Sequence, residues 1–194
     1  MRAVGVASPT PRTTPGTTTR VNAPDPNKWT WTATPDGGGR FLCRPLACAE
    51  PAYVLAKSGR SPTRDPDEAA LQKVARTMLP AGVQGEQLKL DAQTGGNVKL
   101  RFVGAKVTRA RDFPAIFSEV ERRGVGAPDR MFRMDMYIGN NRVMITSVSK
   151  SAAVARANLD LFVNAMDIDD VALKPAPAVG VTSRTEIVAG QPRT

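Results

Sequence analysis

Phe132-Arg-Met-Asp-Met-Tyr-Ile138-Gly-Asn-Asn-Arg-Val143-Met-Ile-Thr-Ser147 decides the fold class. Phe132, Met134, Met136 and Ile138 alternate with Arg133, Asp135 and Tyr137. Beyond Gly139-Asn140-Asn141, a turn signal, Val143, Ile145 and Ser147 oppose Met144, Thr146 and Val148. A period of two sends successive side chains to opposite faces, so the stretch reads as two strands joined by a hairpin. Upstream, Ile116, Ser118 and Val120 alternate with Phe117, Glu119 and Glu121. Together these predict an antiparallel meander with one face on a core.

Further out, Trp29, Trp31 and Ala33 alternate with threonines, Asp36-Gly37-Gly38-Gly39 is a turn, and residues 40–43 and 53–57 are short extended pieces. Asp65 reads as a helix N-cap, with Pro66 at the first helical position and Glu68 closing a capping box. Leu71, Val74, Ala75, Met78 and Leu79 form a helical stripe that Pro80 and Gly82 should end. A second helix starts near Ser149 or Ser151 and aligns Ala155, Leu159, Phe162 and Met166. The expected class is α+β, an antiparallel meander packed by two main helices. The expected organisation is a Pro/Thr-rich tail over 1–27 that buries too little to order, one domain over 28–170, and a flexible tail over 171–194.

The 194 residues include two cysteines and no histidine. Absence of histidine excludes Ser-His-Asp and Cys-His catalysis. Ser147-Val-Ser-Lys150 spells Ser-x-x-Lys, but Ser147 falls at a strand end and the partner motifs of such enzymes are absent, so strand-end and capping roles are expected. No phosphate-binding loop occurs. Met131, Met134, Met136 and Met144 read as core filler, not as a copper site. Asp167, Asp169 and Asp170 lack the glycine and distant glutamate of a calcium loop. No cofactor is expected, and the chain is not expected to be an enzyme. Cys43-Arg-Pro-Leu-Ala-Cys48 is expected to be a structural disulfide, since a closed zinc site needs about four ligands; reactive thiols are the alternative.

The formal charge of +9 and isoelectric point near 10.2 suit an acidic partner. Lys99, Arg101, Lys106, Arg109 and Arg111 form the densest basic run, with no acid until Asp112. Lys99 and Arg101 share a strand face while Leu100 and Phe102 point to the core, and Arg109 and Arg111 share a face if the strand runs unbulged. Lys99, Arg101, Arg109 and Arg111 are therefore the expected contact residues, toward an acidic protein, an anionic lipid or a polysaccharide. The bland alternative is a solvated sheet face.

Residues 1–7 lack the apolar run of about 7–15 residues of a signal peptide, and no stretch nears the roughly 18 apolar residues of a membrane span. Disulfides belong mainly to oxidising compartments, so the expectation is a periplasmic or secreted protein whose leader is encoded upstream of Met1. A cytoplasmic protein that binds nucleic acid is the alternative.

Phe41-Leu-Cys43, Pro45-Leu-Ala-Cys48, the run Ser61-Pro62-Thr63-Arg64-Asp65-Pro66-Asp67, Arg142-Val-Met-Ile-Thr-Ser147 and Ala157-Asn-Leu-Asp160-Leu-Phe162 resemble small, uncharacterised exported proteins of alphaproteobacteria. The element order over residues 29–168 also resembles the PsbP-type fold, named from an extrinsic photosystem II subunit. The resemblance implies an antiparallel sheet sandwiched by helices and a non-catalytic accessory role in the envelope. It assigns no site residues.

Overall fold

The hairpin read from residues 132–147 lies at the middle of the sheet. In the computed structural model, which describes residues 12–14, 17–124 and 128–170, the strands are β1 (Arg12–Thr14), β2 (Thr17–Arg20), β3 (Trp29–Ala33), β4 (Gly39–Cys43) and β5 (Ala52–Arg60). They continue with β6 (Lys99–Ala110), β7 (Phe113–Arg123), β8 (Asp129–Ile138), β9 (Asn141–Ser149) and β10 (Asp167–Asp170). Helices are α1 (Glu68–Lys73), α2 (Leu79–Thr94) and α3 (Ala152–Asn164), with a π-helical turn over Val74–Met78 joining α1 to α2. The fold is α+β. Seven antiparallel strands run in the order β3-β4-β5-β9-β8-β7-β6, and β1-β2-β10 form a small second sheet. Gly139 takes φ 56° at the first position of the two-residue β8–β9 turn, the position and sign a type II′ hairpin requires.

Both faces of the large sheet are covered, the sandwich that the resemblance implied, where the strand alternation alone predicts a core on one face. On the first face α3 packs through Ala155, Leu159 and Phe162, with Met166 just beyond its end, onto Val54, Met134, Met136 and Ile145. Phe162 meets Trp29 edge-on at 5.0 Å and Phe41 at 4.9 Å. Each such wholly buried side chain contributes roughly 1.5–3 kcal/mol. The Ser151 side chain caps α3, and Glu50 adds a carboxylate that accepts from the Ser151 amide at 2.7 Å and Ser149 Oγ at 2.6 Å. Negative charge at the positive end of the helix dipole fixes α3 to the β4–β5 connection.

The opposite face carries Ile116 and Tyr137 under Leu71, Ala75 and Leu79 of the helical arm α1–α2. Two local expectations are corrected here. The N-cap is Asp67, whose Oδ1 accepts from the Ala70 amide at 2.7 Å, and not Asp65, whose φ of 44° lies outside the helix. Nor does the helix end at Pro80. The wider π-helical turn immediately before it relieves the clash and the lost N–H bond that proline brings, and Pro80 sits in the first turn of α2. Helix then runs to Thr94 and stops at Gly95, left-handed at φ 63°.

The tail expected over 171–194 lies outside the described residues, as do 1–11 and 15–16 of the tail expected over 1–27. Within the remainder of 1–27, β2 pairs with β10, and Val21, 4% exposed, joins the α3 core with Ala23 beside it.

Candidate functional site

Cys43 and Cys48 form a disulfide, with Cα atoms 6.3 Å apart, that closes the loop between β4 and β5. Ser147 is fully buried on the face under α3 and Lys150 is exposed beyond the strand, so the Ser-x-x-Lys spelling offers no reachable nucleophile. Among the described residues no cluster of three or more histidine, cysteine or carboxylate side chains could hold a metal. Asp167, Asp169 and Asp170 lie in β10, in backbone register with Arg20, Thr18 and Thr17.

The four expected contact cations share the edge strand β6 and its turn, but not one patch. A bulge shifts the β6–β7 register between Phe102 and Gly104. Phe102 and Leu100 therefore alternate onto the arm side before it, and Ala105 and Val107 after it. The condition of an unbulged strand fails. Lys99 and Arg101 lie on the α3 side with Lys106, while the Cα of Arg109 belongs to the arm side.

At the first end, Lys99 Nζ sits 3.1 Å from Asp91 Oδ1. Arg101 Nε bonds Glu121 Oε2 at 2.9 Å, Arg123 Nε reaches Oε1 of the same carboxylate at 3.0 Å, and Arg130 stands 3.6 Å away. Glu121 is only 3% exposed, and the Arg101 and then the Arg123 hydrogen bonds hold its carboxyl below the usual range. These cations serve a structural ion-pair network first.

At the other end the balance differs. β6 and β7 are joined by Arg111 and Asp112, both with positive φ, 49° and 67°. Two positive φ values make a type I′ turn, which normally selects Asn-Gly. Arg109 donates to the Asp112 carbonyl and Arg111 to the Met166 carbonyl at the end of α3. A carbonyl satisfies a guanidinium N–H without cancelling its charge. Among the described residues Lys106, Arg109 and Arg111 form no ion pair; Arg156 pairs with Asp160 at 3.1 Å. The four line a groove of about 370 Å³ between the turn and α3. Its wall is Phe117, stacked on Phe132 at 5.6 Å, with Arg156 4.3 Å and Lys106 5.6 Å from the ring centre. The groove holds four cations against one carboxylate. Arg156, on a helix some fifty residues away in sequence, was beyond local pattern reading.

A separate cleft lies between the arm and the sheet. Asp135, fully buried, accepts Arg133 Nη2 at 2.9 Å and Arg142 Nη2 at 2.9 Å, and Arg142 Nε at 3.1 Å. Arg133 and Arg142 keep side-chain exposures of 27% and 30% and reach the cleft floor. Burial pushes the neighbouring Tyr137 hydroxyl up in pKa. The trio was legible in part: Arg133 and Asp135 alternate in phase, and Arg142 lies across the two-residue turn.

No protein-family model and no curated protein sequence matches the chain. Among solved structures, LpqN of Mycobacterium tuberculosis, described as involved in cell envelope biogenesis, is similar at 13% identity and TM-score 0.53, over 82% of this chain and 90% of that one. Cyanobacterial PsbP from Synechocystis sp. PCC 6803 aligns at 12% identity and TM-score 0.49, over 87% of this chain and 96% of that one. The first likeness shows a shared fold. No helix among the described residues is long and apolar enough to cross a membrane.

Proposed function

We propose that the protein is a non-catalytic binding module of the bacterial envelope that holds the acidic group of an envelope component in the groove beside α3. The observation that carries this is the set of three cations, Lys106, Arg109 and Arg111, that form no ion pair among the described residues and converge with Arg156 on one concavity. Unneutralised guanidinium groups recognise phosphate and carboxylate by charge-assisted hydrogen bonds. Lys99 and Arg101, at the far end of the edge strand, contribute less because Asp91 and Glu121 already face them. The disulfide and the fold shared with LpqN support an exported location.

The test is binding of the protein to phosphatidylglycerol vesicles, an acidic polysaccharide and duplex DNA, with phosphatidylcholine vesicles as the uncharged control. A Lys106→Glu, Arg109→Glu, Arg111→Glu variant should lose association with the acidic envelope ligand that the parent protein binds, and Lys99→Gln should keep most of it. Tight, steeply salt-dependent retention on DNA alone would instead favour the nucleic-acid reading.

A further inference from the structure

The cleft under the α1–α2 arm has no part in the cationic groove, since it opens on the opposite face of the sheet. Its volume is about 320 Å³, within the roughly 300–1,000 Å³ of small-molecule sites. Leu55, Leu79, Val83 and Phe102 make apolar walls, and the flexible thioethers of Met78 and Met131 can adapt to a chain of variable shape. Met78 stands at the mouth, 62% exposed, where a large apolar side chain gains nothing from water. Polarity is concentrated at the floor, where two guanidinium groups share one buried carboxylate and leave a net positive charge. Each guanidinium has five N–H donors, so Asp135 leaves some for a second anion. The arm rests on the sheet through Leu71, Ala75 and Leu79 alone among its buried residues and changes pitch at the π-helical turn, an irregularity frequent at functional sites.

We propose that this cleft binds an amphipathic monoanion: an alkyl chain between arm and sheet, with its carboxylate, sulfate or phosphate head on Arg133 and Arg142. Calorimetric titration with decyl sulfate, decyl maltoside and decyltrimethylammonium, each below its micelle concentration, tests it. Decyl sulfate should bind about tenfold more tightly than either other amphiphile, because only the anion meets the arginine pair. Two substitutions at exposed positions should leave folding intact. Met78→Glu, at the mouth, should weaken decyl sulfate about tenfold by like-charge repulsion, and Glu86→Gln, removing an acid from the rim, should tighten it about twofold. The groove substitution Lys106→Glu should change neither value. Equal affinity for all three amphiphiles would overturn the proposal. So would sulfate binding that Lys106→Glu abolishes and Met78→Glu leaves untouched, which would place the anion in the groove.

Discussion

Asp135 is enclosed by two arginines on the floor of the cleft, and its charge decides whether they are tolerated there. Asp135→Asn keeps the shape and removes the charge, leaving two cations in a poorly solvated site. Removing one partner of a buried pair costs about 3–5 kcal/mol; with both arginines still partly exposed the loss should fall near 3 kcal/mol, read from urea denaturation. A loss below about 1 kcal/mol would mean that the arginines are solvated well enough to need no counter-charge. Asp36 and Glu121 make the fold sensitive to acid. Thr34 Oγ1, donating at 2.6 Å, and then Lys57, at 2.9 Å, hold the Asp36 carboxyl at about 2 against an ordinary 3.8. Glu121 is lowered likewise from 4.5 by Arg101 and Arg123. Both folded values lie below the unfolded ones, so the unfolded chain takes up protons first as the pH falls. The Asp36 contribution is complete above about pH 4 and drains away toward about pH 2, and the Glu121 contribution is likewise present at neutral pH and lost as the pH falls below the ordinary carboxyl range. With no histidine in the chain, the urea midpoint should stay level between about pH 6 and 8. A midpoint that moved in that window would expose a titrating group this account lacks.

At the scale of elements, the β6–β7 turn holds Arg111 in a left-handed conformation that favours Asn or Gly, and keeps it there with a bond to the Met166 carbonyl. Replacing Arg111→Asn with Asp112→Gly should raise stability by about 0.5–1 kcal/mol while weakening anion binding in the groove, a trade typical of strained functional positions. If thermal stability fell instead, the Arg111 contact would be a structural strut. The Cys43–Cys48 bridge encloses so few residues that its chain-entropy contribution is about 2 kcal/mol, so reduction should lower the melting temperature only modestly and leave the fold cooperative. These elements differ in how far the sequence discloses them. The β8–β9 hairpin and α3 were readable because one buried stripe dictates each period. Helix α2 was not: Leu79–Thr94 carries Pro80, Gly82 and Gly85, shows no apolar stripe, and is tied down by Gln87, whose Nε2 donates to the Val98 carbonyl at 2.9 Å, rather than by its own amphipathicity. The bulge at residues 102–104 leaves no composition signal, yet it alone separates Arg109 in phase from Lys99 and Arg101.

Across the whole molecule, the antiparallel sheet divides binding chemistry between its faces. Helix α3 and the β6–β7 turn frame an open groove rich in unpaired cations, and the α1–α2 arm frames a cleft with apolar walls and a charged floor. A formal charge of +9 suits an acidic partner without saying where it docks, because Glu121 and Asp91 neutralise one end of β6 and, among the described residues, no carboxylate pairs with Lys106, Arg109 or Arg111 at the other. That asymmetry depends on contacts between residues far apart in sequence, such as Arg111 with Met166, which local periodicity cannot foretell. The most direct test is a backbone amide NMR titration of the protein with phosphatidylglycerol nanodiscs or a soluble acidic polysaccharide. Shifts should concentrate at residues 106–112 and 156–164 and vanish when Arg109 and Arg111 are both replaced by glutamate. Shifts centred on Lys99, Arg101 and Arg123, with 106–112 unmoved, would contradict binding in the groove.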